Sequence, residues 1–173
     1  FAGRMQRFGA DSRYGDIVET VLYNGILSGV SMDGRSFFYE NPLAVDPAFN
    51  HVNTSTTMEE RFPITQRLEV FGCSCCPPNI LRFVASVGGY VYGMDDDTVY
   101  IHQYMDSTLE TEGVRLTQRT AYPQNGTITV RCRGDKRRLA FRIPGWCRRF
   151  TLDRAYTLEN GYAYVALDGE TEV

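Results

Sequence analysis

The chain has 173 residues, 43% of them hydrophobic and 13% aromatic, and its 21 acidic against 18 basic side chains leave a formal net charge of −3. That composition is an ordinary globular one and excludes the concentrated positive charge that nucleic acid requires; Lys136-Arg-Arg138 and Arg148-Arg149 read as solvated strand ends. No apolar run approaches the roughly 20 residues of a membrane span and no charged-then-apolar leader opens the chain, so the expectation is a cytoplasmic protein that contacts neither membrane nor nucleic acid.

In chain order, residues 14–30 read as a helix, with Ile17, Val18, Val21, Leu22, Ile26 and Leu27 recurring at intervals of three and four. Ser31-Met-Asp-Gly34 reads as a tight turn inside a hairpin, because Asp-Gly between apolar runs supplies the positive φ of a reversal. Phe37-Phe38-Tyr39 follows as a short strand, and residues 44–66, with their Pro, Asn and Thr/Ser content, as a long loop. A second helix is expected to start at about Pro78 and run through Ile80, Phe83, Val84 and Val87, since proline is tolerated at the first helical position and not deeper.

From Tyr90 the hydrophobic period changes from helical to alternating. Segments 99–104, 114–120, 127–132, 138–143 and 162–167 read as strands, with Asn125-Gly126, Gly134-Asp135 and Asn160-Gly161 marking reversals. This is the pattern of an antiparallel sandwich or barrel, and the domain boundary is expected near Gly93-Met-Asp-Asp-Asp97. Trp146 and Tyr122 are candidates for stacking on a ligand, although aromatics on alternating strands are more often core. Five cysteines in this length are too few for a disulfide framework.

The chemically telling stretch is Phe71-Gly-Cys-Ser-Cys-Cys-Pro-Pro-Asn79, which sets Cys73, Cys75 and Cys76 just ahead of a helix. Three readings compete: buried inert thiols, a strained local disulfide, and a soft-metal or nucleophile site. Three thiols in four positions favour the last modestly. A helix N-terminus favours an anion, which raises the thiolate fraction available to attack carbon or bind a metal.

The same stretch resembles the signature of the glycoside hydrolase family 127 β-L-arabinofuranosidases. Asp16-Ile-Val-Glu-Thr-Val-Leu-Tyr-Asn-Gly25, Ser31-Met-Asp-Gly34, Phe38-Tyr-Glu-Asn-Pro-Leu43, Thr120-Ala-Tyr-Pro123 and Arg142-Ile-Pro-Gly-Trp146 follow that family's order and rough spacing. The resemblance implies an α+β chain: the last helices of an (α/α) barrel followed by an antiparallel β-sandwich. Residues 1–93 would be the C-terminal portion of an (α/α)6-barrel catalytic domain and 94–173 an incomplete β-sandwich domain. The start at Phe1 and the stop within Asp168-Gly-Glu-Thr-Glu-Val173 agree with a piece of a longer protein.

The chemistry implied is retaining hydrolysis of an arabinofuranoside or related oligosaccharide. Cys75 matches the nucleophile, Cys75 and Cys76 match zinc ligands, and Tyr39 falls in a segment lining the sugar pocket. Cys73 matches a motif cysteine that is not assigned as a ligand. The family's remaining zinc ligands, a glutamate and a cysteine, and its glutamate acid/base match nothing here; Glu19 and Glu40 are not promoted in their place. The expectation is therefore a zinc half-site and a chain inactive by itself, with helix faces exposed enough to favour a homodimer. The alternative function is a non-catalytic fragment, or a carbohydrate or protein interaction module without the metal.

Overall fold

The computed structural model describes residues 1–38, 67–69 and 76–173. They form two compact units, one of residues 1–19 and 87–173 and the other of residues 20–86. The expected loop at 44–66, Tyr39, Glu40, Cys73 and Cys75 lie outside the described residues.

In the first unit, helices α1 (Ala2–Met5) and α2 (Ser12–Thr20, whose last residue begins the other unit) precede nine strands. β1 (Tyr92–Met94), β2 (Thr98–Ile101), β6 (Arg138–Arg142), β8 (Tyr162–Ala166) and β7 (Tyr156–Glu159) make a five-stranded sheet in the order β1-β2-β6-β8-β7. β3 (Ser107–Thr111), β4 (Val114–Thr120), β5 (Ile128–Gly134) and β9 (Glu170–Glu172) make a four-stranded sheet in that order. Every neighbouring pair is antiparallel except β2 and β6. That exception corrects the expectation of purely antiparallel pairing. A parallel pair needs a long crossover, and here β3, β4 and β5 of the other sheet supply it.

Alternation explains the core. Val114, Leu116 and Gln118 of β4 are buried while Arg115 and Arg119 are exposed. Val99 and Ile101, Leu139 and Phe141, and Ala163 and Val165 meet Val114, Leu116, Val130 and Cys132 of the other sheet in one apolar cluster. β6 is different, because it is buried on both faces. Ala140 joins Tyr162 and Tyr164 in a second cluster with Ala10 and Tyr100 packed against it, so the segment before α2 covers the outer face of the five-stranded sheet.

The acidic C-terminal run is not a loose tail. Residues 170–172 pair with Arg131, Cys132 and Arg133 as strand β9. The Gly93–Asp97 segment is a hairpin turn within the five-stranded sheet: the Asp95 carboxylate accepts from the Asp97 and Thr98 amides at 2.9 and 2.7 Å and from the Tyr100 hydroxyl at 2.7 Å. At the β7–β8 hairpin, Asn160 and Gly161 both have positive φ, 49° and 76°, as a two-residue primed turn requires.

In the second unit the helical path continues from α2 as a π-helical turn (Val21–Ile26) and a 3-10 turn (Leu27–Gly29). One helix was expected across 14–30; the path holds, but with three hydrogen-bond registers. Val30 bridges Phe37 across a turn closed by the Gly34 amide on the Ser31 carbonyl, and Phe37 bridges Leu68 on its other side. Helix α3 spans Cys76–Ser86, starting two residues earlier than expected. Pro77 and Pro78 are accommodated because the first four N–H groups of a helix have no intrahelical partner to lose. Among the described residues no helix is long and apolar enough to cross a membrane.

Candidate functional site

Of the residues singled out for chemistry, the described structure contains Cys76. It is the first residue of α3, half-buried, at the positive end of the helix dipole, where Pro77 and Pro78 carry no amide hydrogen. One turn on, the Arg82 guanidinium donates to the Asn79 side-chain oxygen at 3.0 Å. As a soft donor in that position Cys76 fits a thiolate ligand, whereas a zinc site takes three or four protein donors. Among the described residues no group of three or more His, Cys, Asp or Glu side chains is assembled. Cys75, its neighbour in sequence, and Tyr39 lie outside the described residues.

The other two cysteines are of a different kind. Cys132 is 1% exposed within the shared apolar core, and burial pushes its thiol up to about 11, which leaves it inert. The Cys147 Sγ lies 3.3 Å from the Arg149 carbonyl oxygen and donates to it.

A second constellation joins three stretches that the sequence separates. Asp16 and Glu19, three apart on α2 and therefore on one helix face, both pair with Arg142 of β6, whose side chain is fully buried. The Arg142 Nε donates to the His102 carbonyl, the Tyr104 hydroxyl donates to the Arg142 carbonyl, and the Gly145 amide donates to Asp16 at 3.1 Å. One oxygen of Glu19 also accepts from the Tyr122 hydroxyl at 2.8 Å and from the Trp146 indole N–H at 2.9 Å. Burial works against the Arg142 charge, but Glu19 and then Asp16 outweigh it, so its pKa is raised. Nearby, His102 contacts the Tyr162 hydroxyl through Nδ1 at 2.7 Å; burial, and then the Arg142 charge, lower its pKa to about 4.

This network explains Glu19 as a structural acceptor for three donors. It also accounts for Tyr122 and Trp146, whose rings stack at 6.4 Å and 21°. Sequence reasoning missed the grouping. The available signals were the Asp16/Glu19 spacing and the phase of Arg142, which alternates with Leu139 and Phe141 and so shares a face with Ala140.

Residues 1–89 match the family model for the β-L-arabinofuranosidase GH127 catalytic domain, and residues 98–171 match the model for the GH127 middle domain. A non-reducing end β-L-arabinofuranosidase of Bifidobacterium longum subsp. longum is 32% identical over 99% of this chain, which corresponds to 28% of that protein. The crystal structure of a GH127 β-L-arabinofuranosidase from Geobacillus stearothermophilus T6 superposes with a TM-score of 0.79 at 34% identity, over 99% of this chain and 29% of its own. A further GH127 β-arabinofuranosidase structure gives a TM-score of 0.69 at 30% identity, with the same coverage. The chain thus spans under a third of the length of each of these relatives.

Proposed function

The chain belongs to the β-L-arabinofuranosidase family, glycoside hydrolase family 127, and on that premise we propose that it forms part of a retaining glycoside hydrolase acting on arabinofuranosides. The observation that carries the reading is the order of the two matches, a catalytic domain and then a middle domain, with Cys76 opening α3 inside the first. In this reading residues 1–93 are the last part of an (α/α) barrel and residues 94–173 the beginning of a β-sandwich. The two sheets that share one apolar core support the second part.

Cys75 is the proposed nucleophile. Its thiolate attacks the anomeric carbon, the bond from that carbon to the leaving oxygen breaks, and a proton is delivered to that oxygen. Water then adds to the anomeric carbon, giving up a proton to the group that protonated the leaving oxygen, the carbon–sulfur bond breaks, and the thiolate returns, so two inversions give net retention. Tyr39 is proposed to contact the sugar. Zinc, when bound, keeps a thiolate deprotonated at neutral pH, and Cys75 with Cys76 would supply half of its ligands. Cys76 as the first residue of α3, at the positive end of the helix dipole, supports that role. A cytoplasmic location and a homodimer complete the proposal.

The test is Cys75→Ser in the full-length parent, assayed on a β-L-arabinofuranoside. Turnover should be lost while the thermal unfolding midpoint and the zinc content per chain are recorded alongside. Near-normal turnover in a folded variant overturns the nucleophile assignment. The 173-residue chain alone should give no hydrolysis, and measurable hydrolysis by it would overturn the view that further groups are supplied from elsewhere in the parent.

A further inference from the structure

Trp146, the sole tryptophan of the chain, is 64% exposed, yet its indole N–H is committed to Glu19 at 2.9 Å and its ring lies against Tyr122. Tyr122 is fixed from the same carboxylate. An exposed aromatic plane is thus held in one orientation by a buried ion-pair network, which removes the entropy that a free surface tryptophan would lose on stacking with a ligand. Beside it runs a groove of about 700 Å³ whose lining includes Trp146, Tyr122, Thr127, Thr129, Arg149 and Asp153.

The lining is amphipathic in a particular way. Aromatic rings offer the flat apolar surface on which the C–H face of a sugar packs, and threonine hydroxyls with one exposed arginine and one exposed aspartate offer donors and acceptors for ring hydroxyls. The other acidic side chain at the groove, Glu172, is already paired with Arg131. With one free positive and one free negative group, the groove favours a neutral polyhydroxylated ligand over an anion or a cation.

We propose that the groove beside Trp146 is a non-catalytic binding subsite for a neutral oligosaccharide. The choice of arabino-oligosaccharides as the probe rests on the function proposed above; the site itself rests on the rings and the groove.

The experiment titrates the 173-residue chain with arabino-oligosaccharides and follows the emission of Trp146, with glycerol at equal mass as the control. A saturable change given by the sugar and absent with glycerol is the expected result. Asp153→Asn leaves the reporter in place and should weaken binding about threefold to fivefold. By calorimetry, Trp146→Phe, which keeps a ring but loses the N–H held by Glu19, should weaken binding less than Trp146→Ala, which should lose about tenfold or more. A response no different from glycerol, or unchanged affinity in Asp153→Asn, overturns the proposal whether or not Trp146→Ala folds. The same titration on Cys75→Ser should be unaltered, so that loss of hydrolysis and loss of this site are read separately.

Discussion

Glu19 and Arg142 stand 123 positions apart in sequence and meet as an ion pair with side-chain exposures of 11% and 0%. Asp16, one helical turn before Glu19, takes a second guanidinium nitrogen. The pairing ties α2 to β6 of the five-stranded sheet. Removing the cation would leave two carboxylates without their partner in a poorly hydrated place.

Arg142→Met should therefore destabilise the chain by about 3–5 kcal/mol, the usual cost of breaking a buried pair from one side. Arg142→Lys should lose less, since the charge stays while the planar fork that reaches two carboxylates and a carbonyl is gone. Urea unfolding at neutral pH reads both. A change within about 0.5 kcal/mol for Arg142→Met would mean that the network is ornamental to stability.

The glycines give a second, paired prediction. A Cβ built on Gly15 would collide with Arg142 Cδ, whereas one on Gly25 would meet Val21 Cγ1 at an ordinary 3.6 Å. Gly15→Ala should cost about 1–3 kcal/mol through displacement of the guanidinium. Gly25→Ala should be neutral, or stabilising by up to about 1 kcal/mol through helix propensity. In thermal melts Gly15→Ala should unfold below Gly25→Ala; equal melting points would contradict the close approach at Gly15.

These positions also mark where the sequence was legible. β4 was read with its observed ends, and the Asn160-Gly161 reversal with its turn chemistry, because alternation and positive φ are local properties. β3 and β7 were not foreseen: they are edge strands, β7 exposed along its whole length, so neither carries the apolar alternation that burial imposes. β9 hid in an acidic run because only Thr171 of its three residues points inward. The Arg142 network was invisible for a deeper reason. Arg142 occupies the face of β6 opposite the shared core, and only the docking of α2 on that face turns it into an interior position. Of the thiol stretch, the helix that opens at Cys76 was legible from the proline pair, although the start was placed two residues late.

Thiol chemistry should divide the cysteines. Cys132 sits in the apolar core with its pKa raised to about 11, so at pH 7.5 it carries almost no thiolate and is shielded from reagent. Alkylation of the native chain followed by peptide mapping should leave Cys132 unmodified while Cys76 is labelled, and unfolding in urea should abolish the difference. Native labelling of Cys132 at the rate seen in urea would contradict its burial.

The final prediction concerns acid. His102 has its pKa lowered from 6.5 to about 4, first by burial and then by the Arg142 charge. Between those two values the unfolded chain binds a proton that the folded chain does not, so unfolding becomes easier as pH falls; the stability contributed by the neutral imidazole is complete above about 6.5 and is lost progressively down to about 4. The full effect is on the order of 3 kcal/mol. Titration by NMR should find that the His102 ring resonances of the folded chain stay flat from pH 8 to 5, and the urea midpoint should fall over pH 6.5 to 4 with a slope that His102→Gln reduces. A His102 resonance titrating near 6.5 would show that water reaches the ring and would remove this source of acid sensitivity.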